Sequence, residues 1–211
     1  TGSGPIEYPR HELPDDTKWG EDHWDKNYRN NIGSIQTYPT GTAPCKVACP
    51  AHIAIQGYIK MASEGRYKDA LKLIKKDNPF PAVCGSICRK YCEDACTRGS
   101  VDEPLSIDEI KKFIAEQDMK DEHRYIPPMN SCTMAPFEQK VAIIGAGPAG
   151  MSCAYFLAIE GYKPTVFEKE AAPGGMLVNG IPNFRVDKAT VNSEIDVLRE
   201  MGVEFRCGVE V

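Results

Sequence analysis

The sequence predicts an α+β chain of more than one domain: an N-terminal all-α, cysteine-rich segment, then the first half of a Rossmann-like βαβ domain. Two observations carry this. Between Pro44 and Gln117 apolar residues recur at helical spacing among six cysteines, and from Val141 to Gly150 a β-branched apolar run passes straight into three glycines spaced G-x-G-x-x-G. Further strand-like runs at Pro164–Phe167 and Val203–Arg206 extend the second pattern.

Composition sets the bounds. The chain has 211 residues, 42% of them hydrophobic, enough for one or two cores, and a formal charge of -5 that gives no reason to expect nucleic acid. No apolar run approaches the ~20 residues of a membrane span, and the first residues lack a basic-then-apolar signal, so a cytoplasmic location is expected. Nine cysteines in a reducing compartment point to metal or redox use rather than disulfides.

Residues 1–40 are rich in Pro, Gly, Asp and Asn without a sustained period; they read as an extended arm whose aromatics, Trp19 and Trp24 among them, pack on something larger. Residues 41–118 read as the helical domain. Amphipathic helices are expected over Ile53–Ala62 and Arg66–Lys75, broken at Glu64-Gly65, with Tyr58, Ile59, Ala70, Leu71 and Ile74 facing inward; Pro79 to Pro81 ends the second. A third covers Ile107–Gln117, with Asp108 suited to the positive end of its dipole. Residues 119–139, with Pro127-Pro128, form a linker, and residues 140–211 the partial Rossmann-like domain.

In that last domain the strand Val141–Ile144 feeds Gly145, which permits the turn; Gly147 lets backbone approach a pyrophosphate, and Gly150 lets the following helix, Met151–Ile159, pack on the strand. The helix N-terminus offers unpaired N–H groups and the positive end of a dipole to phosphates. After Gly161 and the strand Pro164–Phe167 comes Glu168, 23 residues beyond Gly145, where an acid takes the ribose hydroxyls. Glu168 repels a 2'-phosphate, which favours FAD or NAD over NADP.

The cysteines of the helical segment fall as Cys45-x3-Cys49-Pro and as Cys84, Cys88, Cys92 and Cys96 at four-residue intervals. Four thiolates hold a [4Fe-4S] cube or a zinc ion; zinc knuckles usually use C-x2-C, and Cys-Pro is more typical of iron-sulfur proteins, with buried free thiols as the third reading. Cys132, Cys153 and Cys207 are isolated, and Cys153 is expected in the core.

Pro44-Cys45 through Cys49-Pro50-Ala51, Asp77 to Gly85, the Cys88/Cys92/Cys96 series, Gly145 to Gly150, Phe167-Glu168-Lys169 and Gly174-Gly175-Met176 together resemble the FAD and iron-sulfur module of the glutamate synthase small subunit. The same module opens dihydropyrimidine dehydrogenase and the large subunit of NADH-dependent ferredoxin:NADP oxidoreductase. The resemblance covers about residues 40 to 211.

It implies an all-α iron-sulfur domain followed by the first half of an FAD-binding domain. Cys49, Cys88, Cys92 and Cys96 are then the ligands of one [4Fe-4S] cluster, with Cys45 and Cys84 as less favoured candidates. Relatives that hold a second cluster use two further cysteines where this chain has Thr37 and Thr40, which argues for one cluster. On the flavin side it implies Gly145, Ala146, Gly147, Pro148 and Ala149 at the pyrophosphate with Gly150 closing the motif, Glu168 with Lys169 at the ribose, Gly175 and Met176 under the flavin, Arg185 after Ile181-Pro182-Asn183-Phe184, and Val211 near the adenine. The whole protein is then an NAD(P)H-dependent oxidoreductase that passes electrons from a nicotinamide/FAD site to a partner subunit or domain, without a side-chain acid or base. The nicotinamide domain lies outside this chain, which reads as a fragment. A non-catalytic electron-transfer or docking subunit with a structural cluster, and a zinc-stabilised scaffold with an empty nucleotide fold, are the competing expectations.

Overall fold

The structure, a computed structural model, describes residues 42–130 and 140–211. The expectations for the arm, for Thr37 and Thr40, for Cys132 and for the end of the linker lie outside the described residues. In chain order the helices are α1 (Pro44–Ala48), α2 (Ile55–Ser63), α3 (Tyr67–Ile74), α4 (Pro81–Ile87), α5 (Tyr91–Asp94), a 3-10 turn (Thr97–Ser100) and α6 (Ile107–Met119). The second half runs β1 (Ala142–Ile144), α7 (Pro148–Ile159), β2 (Thr165–Glu168), α8 (Met176–Asn179), α9 (Lys188–Glu200) and β3 (Glu204–Cys207).

These elements form two compact units. One takes in the described residues up to Pro50 together with Tyr91–Leu105, and in it α1 packs on α5. Arg98 pairs with Asp102 at 2.8 Å within this unit, across one helical turn.

The other unit comprises Ala51–Lys90 and Ser106–Val211. In its helical part α2, α3, α4 and α6 pack together over Tyr58, Ala70, Leu71, Ile74, Ile107 and Ile114, all buried; of the expected inward residues only Ile59 is half-exposed. Pro79 to Pro81 does more than end a helix. Pro81 occupies the first turn of α4, where its missing N–H costs nothing, and so starts the helix that carries Cys84.

The sheet of this unit is parallel in the order β1-β2-β3, with Ile143 opposite Val166 and Val166 opposite Phe205. Helices α7 and α9 cover it, burying Met151, Ala154, Tyr155, Ala158, Val166, Ile195 and Leu198. Phe80 and Val83 from the start of α4 belong to the same cluster, so one apolar core joins the Cys84 helix to the sheet. Cys153 is exposed, contrary to expectation. The buried stripe of α7 runs Met151, Ala154, Tyr155, Ala158, and at 100° per residue position 153 falls on the opposite face. Among the described residues β1 is an edge strand, and Ile144 on it is 71% exposed.

Candidate functional site: a glycine-rich loop and a cysteine-bearing helix

The turn out of β1 is fixed by Gly145, whose φ of +96° is left-handed and whose N–H donates to the Phe167 carbonyl at 2.7 Å. Gly150 is a packing glycine: a Cβ there would stand 2.0 Å from the Gly145 carbonyl oxygen and 3.3 Å from the Ile143 side chain. Gly147 differs. It caps α7 with extended backbone, and a Cβ on it would meet nothing within 4 Å. Open space at that position is what a close-approaching pyrophosphate needs. Pro148 follows at the first helical position, and Pro148 and Ala149 are exposed at the helix mouth, while the Ala146 side chain is buried.

Glu168, at the end of β2, is 7% exposed. Its Oε2 accepts from Ala146 N at 2.7 Å and its Oε1 from Glu170 N at 3.0 Å. The Glu170 amide, chiefly, holds the carboxyl below its usual range, with the amides of Ala146 and Lys169 adding to it against the cost of burial. Glu168 therefore ties the glycine loop to β2, and each oxygen keeps a further lone pair for a hydroxyl donor. Lys169 beside it is exposed.

Gly174 and Gly175 both have positive φ, +126° and +52°. Gly174 N donates to the Ala146 carbonyl at 2.8 Å, and a Cβ on Gly175 would come within 2.9 Å of Gly147 Cα, so the loop before α8 lies directly on the glycine turn. Met176 opens α8 and is 69% exposed. Arg185 is exposed after Phe184, itself 90% exposed, and Val211 is exposed beyond β3, two residues after which Val209 donates its N–H to the Glu168 carbonyl. Gly145 to Gly150, Glu168, Gly175 and Met176 are thus gathered around one turn; no bond ties Arg185 or Val211 to that turn.

The cysteines divide between the units. In the first, Cys45 has Cys96 and Cys49 as thiol neighbours; burial pushes its thiol up, the Lys46 amide works against that, and the two thiols add to the rise. Cys92 is buried on α5. In the second, Cys84 lies on α4 and Cys88 caps its C-terminus. The Cys84 thiol donates to Asn78 Oδ1 at 3.6 Å; burial raises it and the Lys111 cation lowers it. Cys88 Sγ accepts the Lys90 amide N–H at 3.4 Å, and Lys90 holds a left-handed φ of +64°. The backbone at Lys90 is thus turned so that its amide donates to a sulfur. Among the described residues no three His, Cys, Asp or Glu side chains are grouped as a single metal ion requires. The donor chemistry fits an iron-sulfur cube, whose thiolates bind different irons and stand apart.

A fastening beyond the motifs holds α4. Glu194, 1% exposed on α9, accepts from Ala82 N at 2.9 Å and Val83 N at 3.1 Å, which are first-turn amides of α4. Lys75 is a neighbouring buried cation whose Nζ has no hydrogen-bond partner among the described residues, and Tyr155 donates its hydroxyl to the Lys75 carbonyl at 2.7 Å. Arg124 reaches Asp118 at 3.5 Å and Ser193 Oγ at 2.8 Å. The sequence carries a trace of Glu194, an acid at a stripe position among Val191, Ile195 and Leu198.

Residues 37–123 match the family described as dihydropyrimidine dehydrogenase domain II, 4Fe-4S cluster, and residues 143–192 match the NAD(P)-binding Rossmann-like domain. The chain is 40% identical over 194 residues to the NADP(+)-dependent formate dehydrogenase subunit beta of Moorella thermoacetica, covering 82% of this chain and 27% of that protein. It is 41% identical over 166 residues to the NADPH-Fe(3+) oxidoreductase subunit beta of Geobacter sulfurreducens, covering 78% of this chain and 24% of that one. Against the NAD-dependent dihydropyrimidine dehydrogenase subunit PreT of Escherichia coli K12 the identity is 38% over 171 residues, covering 80% of this chain and 40% of that subunit. The chain therefore spans well under half the length of these relatives. No helix among the described residues is long and apolar enough to cross a membrane.

Proposed function

Residues 37–123 of this chain belong to the dihydropyrimidine dehydrogenase domain II 4Fe-4S family and residues 143–192 to the NAD(P)-binding Rossmann-like family, and from that premise we propose that the chain is the electron-transfer part of an NAD(P)H-dependent flavin and iron-sulfur oxidoreductase. Its dinucleotide is FAD, held by Gly145, Ala146, Gly147, Pro148, Ala149 and Gly150 at the pyrophosphate and by Glu168 and Lys169 at the ribose, with Gly175, Met176, Arg185 and Val211 along the remaining length. The acid at the end of β2 supports a free 2'-hydroxyl. Its cluster ligands are Cys49, Cys88, Cys92 and Cys96. When bound, the flavin supplies the two-electron to one-electron conversion and the cluster a one-electron relay.

The observation that carries the reading is the fastening of α4 to α9. Glu194 and the core shared by Phe80, Val83 and Tyr155 put the Cys84–Cys88 helix and the glycine-rich loop in one unit. Of the four proposed ligands this fastening fixes Cys88 relative to the loop; Cys49, Cys92 and Cys96 belong to the other unit. The chain positions and tunes; Glu168 and the α7 amides bind, and Lys90 N–H stabilises the Cys88 sulfur. A partner subunit or domain accepts the electrons, as the subunit names of the relatives support.

Anaerobically purified chain is expected to hold about four irons and about four acid-labile sulfides, as one cluster requires. Zinc without sulfide sinks the electron-transfer reading. About eight of each removes the single-cluster assignment. A cluster that stays unreduced when the flavin is reduced leaves a structural cluster in a docking subunit.

A further inference from the structure

Lys111 is a buried cation. It is 5% exposed on α6, and its Nζ pairs with Asp108 Oδ1 at 2.6 Å, one turn earlier on the same helix and itself 0% exposed. A buried pair of this kind is weak evidence for stability, since apolar side chains of equal volume hold a helix interface as well or better. The placement is specific. A Cβ on Gly85 would come within 2.6 Å of Lys112 Cβ and 3.0 Å of Lys112 Cα, so α4 and α6 meet backbone to side chain at that step. Glycine at position 85 permits this approach. Lys111 precedes Lys112 at this contact, and Cys84 on α4 and Cys88 at its C-cap both act on it electrostatically. Of the cations acting on Cys84, Lys111 is the first, and it favours the thiolate.

We propose that Lys111, clamped by Asp108, is a positioning residue that supplies a fixed positive charge to the Cys84–Cys88 end of α4 and so raises the reduction potential of the cluster bound at Cys88. This rests on the proposed assignment of Cys88 as a ligand. The physical step is simple. Reduction adds one electron to the cluster and its thiolates, and a buried cation a short distance away stabilises the more negative state more than the less negative one. Asp108 fixes the ammonium in place, and its own negative charge acts on the cluster in the opposite direction.

Redox titration of the purified 211-residue chain, followed by the electron paramagnetic resonance of the reduced cluster, tests this, with iron and sulfide assayed in parallel. Lys111→Met is expected to lower the midpoint by at least the equivalent of a tenfold change in the equilibrium constant, about 59 mV for one electron. Lys111→Arg keeps it near the parent value, and Asp108→Asn moves it upward. Lys120→Met, an exposed cation at the C-terminal cap of the same helix, leaves it unchanged. A purely structural pair responds differently, because breaking it from either side does the same damage; equal shifts for Lys111→Met and Asp108→Asn, or none, overturn the proposal. Loss of iron from Lys111→Met, Lys111→Arg and Asp108→Asn alike overturns it in favour of a folding role. A parent chain without iron and sulfide fails at the cluster assignment itself, a result read from the assay and distinct from an unmoved potential.

Discussion

The carboxylate of Glu194 accepts the backbone N–H of Ala82 at 2.9 Å across 112 residues of sequence. Its second oxygen takes the Val83 amide, so one side chain of α9 caps the helix that carries Cys84 and leads to Cys88. Glu194→Ala is expected to destabilise the chain by about 2–4 kcal/mol, because two buried amides lose their acceptor. Glu194→Gln, which keeps one acceptor, should cost less. Urea unfolding of the three proteins measures this; a cost below that of an ordinary surface substitution removes the clamp from the account.

The same residue predicts a pH dependence. Burial raises the Glu194 pKa from 4.5 to about 7, against the Ala82 and Val83 amides, which lower it. The folded protein then holds a proton that the unfolded chain releases, so this contribution is full below pH 4.5 and is lost as pH rises through about 7. The stability of the parent relative to Glu194→Gln should fall over that window. Lys75, whose pKa burial lowers, acts in the opposite direction at alkaline pH, where the folded state has already given up the proton the unfolded chain keeps. A parent-to-Gln difference that is flat or rises between pH 4.5 and about 7 counts against the buried, proton-holding carboxyl.

The glycine turn and its strand and helix were legible because each rests on a local rule. Gly145 needs φ above zero, Gly150 cannot carry a side chain beneath a carbonyl, and the apolar runs on either side have strand and helix periods. The two longer helices of the cysteine segment were legible for the same reason, as was α6. Helix α4 was not: seven residues, Pro81–Ile87, with glycine and cysteine among them show too short a stripe to read, and their cap is a glutamate more than a hundred residues away. Cys153 shows the complementary error, a residue assigned to the core by its helix when only the stripe through Met151, Ala154 and Tyr155 faces inward. Lys111 is hidden similarly, since a lysine on an amphipathic helix reads as solvated unless the approach of Gly85 is known.

Glu168 is expected to matter before any ligand binds. Removing its carboxylate leaves the Ala146 and Glu170 amides without their acceptor, so Glu168→Ala should cost about 1–3 kcal/mol of stability in addition to weakening FAD. Its pKa is held below the ordinary value, chiefly by the Glu170 amide, so the contribution is present above pH 4.5 and is lost as pH falls through the lowered value. Thermal unfolding of parent and variant near neutrality and at acid pH should show the gap closing in acid. A variant as stable as the parent at neutrality leaves Glu168 as a ligand contact alone.

Among the cysteines, Cys49→Ser, Cys88→Ser, Cys92→Ser and Cys96→Ser should each abolish the cluster and loosen the helical part of the chain, because ligand binding in so small a core is also folding energy. Cys45→Ser and Cys84→Ser should retain iron. Cys45 is the sharper test, since Cys96 and Cys49 are its thiol neighbours in the first unit. If Cys45→Ser loses iron and Cys49→Ser keeps it, the assignment of the two exchanges.

Gly147 and Gly150 separate folding from binding within one turn. At Gly150 a methyl group would stand 2.0 Å from the Gly145 carbonyl oxygen, so Gly150→Ala must displace the backbone of the turn, and loss of both stability and dinucleotide binding is expected. At Gly147 the φ is -74°, ordinary for any residue, and an added Cβ meets nothing within 4 Å. Gly147→Ala should therefore unfold at the parent's denaturant midpoint, and Gly147→Val close to it. Both should nevertheless lose FAD, because the space they fill is the approach path of the pyrophosphate. The two measurements, unfolding and calorimetric titration with FAD, have to diverge for Gly147 and agree for Gly150. FAD bound equally by Gly147→Val and the parent means that no phosphate comes over this turn, and the open space at Gly147 then has no dinucleotide to explain it.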